Sequence, residues 1–202
     1  MRWQRMQSNI SVIFLFFSAM ITENLIFARA IGIEEINSRT EDVKKIFIYS
    51  AILYAVCLPA ALLSFGVKYY LLSAEVWSIV KGIVVIVAIS ICYIAETVAL
   101  KKRHFYKKYR LTLNSVLYLS ISCTSVAAVF YSLQFNSISR CIVYVTGSCV
   151  GVLLSMLLLR SGKERLELSN VAKAFQGLPI TLIYIGILSM AIYGLVGHKL
   201  LA

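Results

Sequence analysis

Two polar residues, Glu23 and Asn24, interrupt an otherwise apolar run and are the first candidates for chemistry in this chain. They belong to the stretch Ile21 to Gly32, which reads ITENLIFARAIG. At about 1.5 Å per residue, Glu23 lies roughly 20 Å along a helix that starts near Ile10, deep in a hydrocarbon core about 30 Å thick. A carboxylate at that depth costs about 2.5 to 3.5 kcal/mol on insertion scales, so it needs a partner. Two interpretations of Glu23 stay open: an ion or proton relay group, or a carboxylate held by helix ends or neighbouring hydroxyls.

A second carboxylate, Glu96, lies five residues before the basic sequence that begins at Lys101. This spacing places it one to two helical turns from a membrane interface. Its side chain is either paired with a nearby Lys or Arg, or it belongs with Glu23 and Asn24 to an ion pathway.

The composition identifies an integral membrane protein. Of the 202 residues, 60% are hydrophobic and 14% are charged, whereas a soluble domain carries about 25% charged residues. The apolar runs leave no room for an additional soluble domain, so residues 1–202 are predicted to form one all-α transmembrane domain. No G-x-G-x-x-G or P-loop is present, which argues against nucleotide binding.

Six apolar segments, each close to the length needed to cross a bilayer, predict six transmembrane helices. They are Ile10–Ile33, Ile46–Val67, Val76–Leu100, Leu111–Leu133, Cys141–Leu159 and Leu178–Leu200. Pro59 is the candidate irregularity in the second segment, because an internal proline kinks or breaks a helix.

The net charge of +11 is explained by topology. The loops after the first, third and fifth segments carry 4, 6 and 4 Lys and Arg residues, with Arg29 counted in the first loop, against 6 on the opposite side. Both termini are therefore predicted outside and the basic loops in the cytoplasm. The third loop, KKRHFYKKYR, fits contact with anionic lipid or a partner better than nucleic acid.

Gly147 and Gly151 form a G-x-x-x-G pattern, which favours close packing between helices. The five cysteines lie in apolar runs without a C-x-x-C, so no disulfide framework is predicted. Four of them are interpreted as small buried hydrophobic residues, and their local spacing supplies no iron-sulfur ligand set. They are Cys57, Cys92, Cys123, Cys141 and Cys149.

Several elements make the chain similar to the small six-span membrane subunits of the Rnf and Nqr electron-transport complexes, in particular the RnfA and NqrE branch. The strongest match is the stretch Ile142 to Gly197, and the opening stretch with Glu23, Asn24 and Gly32 resembles the family's first span. The matching elements of the longer stretch are Tyr144, Gly147, Gly151, Glu164 with Arg165, Ser169 with Val171, Gly177 and the segment Gly186 to Gly194. Glu96 falls where the family has a Glu at the end of its third span.

The resemblance implies two inverted three-helix repeats, with the first and fourth helices interrupted near the membrane middle. It also implies a homologous six-helix sister subunit, further complex subunits, a bacterial inner membrane, and an intramembrane [2Fe–2S] cluster shared with the sister. Cys123 resembles the fourth-helix ligand, whereas Glu34 stands where the first-helix Cys is expected. Because a carboxylate is a poor replacement for a thiolate at an iron-sulfur centre, the usual ligand set is incomplete.

The resulting hypothesis is a divergent subunit of a complex that couples electron transfer to Na⁺ or H⁺ translocation. The alternatives are a small inverted-repeat transporter with a midplane site around Glu23 and Cys123, or a membrane scaffold, both without redox chemistry.

Overall fold

The computed structural model describes residues 12–32, 43–70, 74–102, 122–167 and 175–196. Within these ranges every regular element is helical. The helices are α1 (Val12–Thr22), α2 (Val43–Tyr70), α3 (Ala74–Lys102), α4 (Cys123–Ser132), α5 (Ile138–Glu167) and α6 (Leu178–Val196). Each overlaps one predicted apolar segment. Glu34, residues 103–121 with most of the third loop, and both chain ends lie outside the described residues.

Three of these helices have the length and composition of membrane spans, namely α2, the Val76–Ala99 part of α3, and the Ile138–Arg165 part of α5. The described parts of the first, fourth and sixth segments are shorter apolar helices. The prediction of an all-helical membrane protein is therefore confirmed in its coarse form, whereas the inverted repeat stays a prediction.

The helix α5 is central to the bundle and packs against α1, α2, α4 and α6. In its most apolar window 56% of the residues are buried, against 22% in α3. The exposed face of α3 consists of large aliphatic side chains, which suits a helix at the lipid side of the bundle. These residues are Ile79, Ile83, Ile86, Val87, Ile91, Ile94 and Val98.

Two glycines of α5 allow α1 to approach its backbone. A Cβ at Gly147 would come within 2.8 Å of the Phe16 carbonyl oxygen, and one at Gly151 within 2.8 Å of that of Met20. Because the contact advances by four residues along both helices, α1 and α5 run parallel. Parallel packing is what alternating spans require of the first and fifth segments.

Pro59 does not break α2, contrary to the expectation from the sequence. The helix continues on both sides of it, from Val43 to Tyr70. A proline removes one backbone N–H, and in a long helix packed on both sides of that point the remaining hydrogen bonds and contacts keep the segment helical.

The helix α4 begins in the middle of the predicted fourth segment. Ser122 has an extended backbone, with φ −92° and ψ 155°, and its Oγ accepts a hydrogen bond from the Ser125 amide, as an N-cap does. At the other end, Lys68 Nζ of α2 donates to the Leu133 carbonyl at 2.8 Å and to the Asn136 side chain at 3.1 Å. Both ends of this short helix therefore have polar partners.

Candidate functional site

The first segment loses its helical path at Glu23. The last turn of α1, Ser18–Thr22, is a π-helix, and the Glu23 amide donates to the Ser18 carbonyl five residues back at 2.8 Å. Glu23 itself has φ −101° and ψ 28°, outside the helical region. A widened turn followed by a non-helical residue ends the helix well inside the apolar segment.

Asn24 stabilises this break through both ends of its amide. Its Nδ2 donates to the carbonyls of Met20 and Gly151, each at 3.0 Å. Its Oδ1 accepts from the Ile26 amide at 3.0 Å and from the Phe27 amide at 3.3 Å, so it caps the turn that follows. Because the Asn24 side chain is buried, these bonds satisfy an amide that would otherwise be costly in an apolar interior.

A serine of α5 completes the same network. Ser155 Oγ lies 3.0 Å from Asn24 Oδ1 and 2.9 Å from the Gly151 carbonyl oxygen. Ser189 of α6 reaches the segment from another side and donates to the Phe27 carbonyl at 2.5 Å. The backbone after the break is therefore held by two neighbouring helices.

The chain then turns toward the start of α4. Ala30 and Gly32 both have positive φ, 54° and 82°. A Cβ at Gly32 would overlap Thr124 Oγ1, so only glycine fits both the backbone conformation and the space. The sequence predicts Gly32 as a helix-packing residue, and the structure places it against the first turn of a half-length helix, one residue from Cys123.

Glu23 is the charged centre of the site. Tyr144 of α5 donates its hydroxyl to Glu23 Oε2 at 3.2 Å, and Arg29 Nη2 lies 3.5 Å from the same oxygen. The Arg29 guanidinium also lies 3.6 Å above the centre of the Tyr131 ring of α4. The Glu23 side chain is 49% exposed and that of Arg29 is 30% exposed. The carboxylate thus has a hydroxyl and a cation as partners and is still open on one side.

The assignment of Arg29 to the first cytoplasmic loop is wrong. Arg29 lies beside Glu23 and Tyr131, within the bundle. The sequence contains a usable signal, since Arg29 falls inside the predicted first span, and opposite charges within one span usually pair. Removing Arg29 from the charges of that loop leaves the basic loops well ahead of the opposite side.

Glu96 lies apart from this cluster. It is on α3, close enough to Cys57 and Cys92 for electrostatic interaction with their side chains. Its Oε2 is buried and accepts no hydrogen bond from a described residue. No hydrogen bond or ion pair between described residues joins Glu96 to Glu23, so the structure does not bring the three predicted ion-pathway residues together.

Cys123 differs from the other four cysteines because it is exposed while they are buried. It occupies the first turn of α4, where the helix dipole favours negative charge. A [2Fe–2S] cluster takes four soft ligands, and two subunits that share one equally each supply two thiolates. The described residues of this chain offer one exposed thiol, and no three of their His, Cys, Asp and Glu side chains converge on a metal site. These residues alone therefore do not fit the cluster, and Glu34 lies outside them.

No protein-family model matches the chain. It is 25% identical over 193 residues to the A-type subunit of the Na(+)-translocating ferredoxin:NAD(+) oxidoreductase complex of Acetobacterium woodii, covering 95% of this chain and 100% of that protein. It is 23% identical over 189 residues to the A-type subunit of the proton-translocating ferredoxin:NAD(+) oxidoreductase complex of Clostridium ljungdahlii, covering 93% and 97%. A shorter stretch of 70 residues is 39% identical to the A-type subunit of the ion-translocating oxidoreductase complex of Syntrophotalea carbinolica, covering 35% and 36%.

These relatives carry the same position in their complexes by name, although the names differ in the ion that is moved. The similarity extends over nearly the whole chain at low identity, and the chain is all-helical in its described parts, with apolar helices of membrane length. The chain is therefore a divergent relative of the RnfA-type subunits of ion-translocating oxidoreductase complexes.

Proposed function

We propose that this chain is a membrane subunit of an ion-translocating oxidoreductase complex and that its broken first segment forms part of the ion path. The observation that carries the proposal is the half-exposed Glu23 carboxylate at a helix break, deep in an apolar segment. Charged groups in such positions face protein or water and mark ion pathways. The names of the relatives supply the coupling to electron transfer.

The three candidate residues take different roles in this proposal. Glu23 is the group that meets the ion, since its carboxylate is open on one side. Asn24 holds the backbone of the break, because each of its donors and its acceptor oxygen is already used within the chain. Glu96 is a second carboxylate nearer the interface, with a buried oxygen that has no hydrogen-bond partner among the described residues.

The open side of Glu23 needs a cover other than lipid tails, because an exposed ion pair in hydrocarbon is costly. We propose that a homologous six-helix sister subunit, together with water, supplies it. Cys123, exposed near Gly32, faces the same requirement for a partner if a cluster is shared between the subunits. Iron and acid-labile sulfide in the purified complex would decide whether one is present, and the proposed role of Glu23 does not depend on it.

The experiment compares Glu23→Gln with Glu164→Gln in the purified complex in proteoliposomes. Glu164 is an exposed carboxylate at the far end of α5, paired with Arg160 at 2.9 Å, so its neutralisation controls for a general loss of charge. Electron transfer, ²²Na⁺ uptake and internal pH are recorded together. We expect Glu23→Gln to lower ions moved per electron at least tenfold, while Glu164→Gln stays near the parent value. Equal ion flux in both variants would contradict the role of Glu23.

The alternative of a transporter without redox chemistry makes a different prediction for the same preparation. Ion or solute flux would then proceed without an electron donor and would be independent of electron transfer. A scaffold would show neither a flux nor a loss on Glu23→Gln.

A further inference from the structure

Arg29 and Glu23 approach each other from opposite sides of the helix break, but the contact is loose. Their single contact, Nη2 to Oε2, is 3.5 Å, whereas charge-assisted hydrogen bonds are about 2.7 to 2.9 Å and arginine favours two parallel ones. Both side chains are partly exposed. The ion pair is therefore held weakly enough to exchange with another cation.

Arg29 has a second site of contact that does not depend on Glu23. Its guanidinium lies over the ring of Tyr131, which belongs to α4 and not to the broken segment. Stacking on an aromatic face is a favourable position for a guanidinium, more so when water is scarce. The guanidinium can leave the carboxylate and keep this contact.

The carboxylate also has a fixed orientation without Arg29. The Tyr144 hydroxyl donates to Glu23 Oε2 from α5, and the neighbouring Asn24 amide fixes the backbone on which Glu23 is carried. A hard oxygen ligand held in this way suits Na⁺ or H⁺. However, a carboxylate already neutralised by a guanidinium attracts a second cation poorly.

We propose that Arg29 is a tethered cation that competes with the translocated ion for Glu23. When the site is empty, Arg29 neutralises the carboxylate, and when Na⁺ or H⁺ binds, Arg29 rests on Tyr131 alone. This competition keeps an unpaired carboxylate from being stranded in the apolar bundle and promotes ion release. The inference rests on the proposed function of Glu23 and adds the group that resets it.

Two substitutions in the whole complex are expected to act in opposite directions. Arg29→Gln removes the competitor, so the apparent Na⁺ or H⁺ affinity should tighten by about five- to tenfold, with fewer ions released per electron. Tyr131→Leu removes the alternative resting place, so Arg29 should stay on Glu23 and the apparent affinity should weaken. A merely structural role would weaken or leave unchanged the affinity in both variants.

The measurements are ion-dependent electron transfer with ²²Na⁺ and pH-dye readouts in proteoliposomes. Arg160→Gln is the control, because that guanidinium is also paired with a glutamate, Glu164, but at the far end of α5. If Glu23→Gln abolishes translocation and Arg29→Gln leaves the affinity unchanged, the competitor role is wrong and the proposed function of Glu23 stands. If Glu23→Gln has no effect, both proposals fail. Should Arg29→Gln not assemble, an unchanged or tighter affinity in Tyr131→Leu would still overturn the inference.

Discussion

Tyr144 and Glu23 are 121 residues apart in the sequence, and their side chains meet across the interface of α5 and the broken first segment. The phenol donates to Glu23 Oε2 at 3.2 Å, and its ring is buried, 5.4 Å from that of Phe135. This hydrogen bond joins the one strongly charged point of the described break to the central helix. Its removal is a direct test of how the carboxylate is oriented.

Replacing Tyr144 with Phe removes the hydroxyl and leaves the packed ring. A hydrogen bond to a charged group contributes about 1.5 to 3 kcal/mol, so we expect the apparent ion affinity of the complex to change by about tenfold or more. Ion-dependent electron transfer in proteoliposomes measures this. Tyr193→Phe on the exposed side of α6 is the control, and equal behaviour of the two variants would exclude a role for the phenol.

Replacing Asn24 with Ala removes both donated bonds and leaves the Ile26 and Phe27 amides without their side-chain acceptor. We expect a loss of about 3 kcal/mol in the free energy of unfolding, because buried polar groups lose their partners. Ser155→Ala removes one bond of the same network and should cost about 1 kcal/mol. Thermal unfolding in detergent gives the ranking, and a reversed order would show that Asn24 does not hold the break.

Alanine at Gly151 places a Cβ 2.8 Å from the Met20 carbonyl oxygen and 3.1 Å from Asn24 Nδ2. We expect Gly151→Ala to push α1 from α5 and to cost about 1 to 3 kcal/mol, as overpacking does. Gly186→Ala is the matched control, since nothing lies within 4 Å of its added Cβ. The same unfolding measurement should show no loss for Gly186→Ala, and a similar loss in both would point to backbone flexibility instead of packing.

Cys123 should be the first of the described thiols to react with N-ethylmaleimide. It is exposed, while the other four cysteines are buried, so labelling of the isolated chain in detergent should reach one thiol per chain before unfolding. Mass spectrometry counts the adducts. The Cys123→Ser variant should lose this rapid label, and retention of it would place another cysteine at the surface. Protection of Cys123 in the assembled complex would indicate that a partner covers it.

The location of the site follows from the sequence, but most of its partners do not. A carboxylate and an amide in an apolar run are enough to single out Glu23 and Asn24. Tyr144 and Ser155 cannot be paired with them by local reasoning, because helix packing brings distant residues together and no spacing rule encodes it. The Arg29 partner is nearer, only six residues on, and is missed because cations at span ends are usually counted as loop charges.

The helices themselves are better predicted than their interruptions. Apolar length locates all six described helices, since crossing hydrocarbon imposes a nearly fixed span. The rule that internal prolines interrupt helices fails at Pro59, where packing outweighs one missing hydrogen bond. The actual break occurs at Glu23 without a proline, and its cause is a capping side chain, Asn24, whose preference for turns competes with the helix.

The saturated amide of Asn24 has a consequence for the rate at which the site can work. With Met20, Gly151 and the following turn all tied to one side chain, the backbone of the break is a rigid part of the bundle. Motion at the site is then assigned to the Arg29 and Glu23 side chains, which change rotamer in picoseconds to nanoseconds where they are exposed, against microseconds to milliseconds for collective helix movement. Exchange of the ion at Glu23 would then not wait for a helix to move.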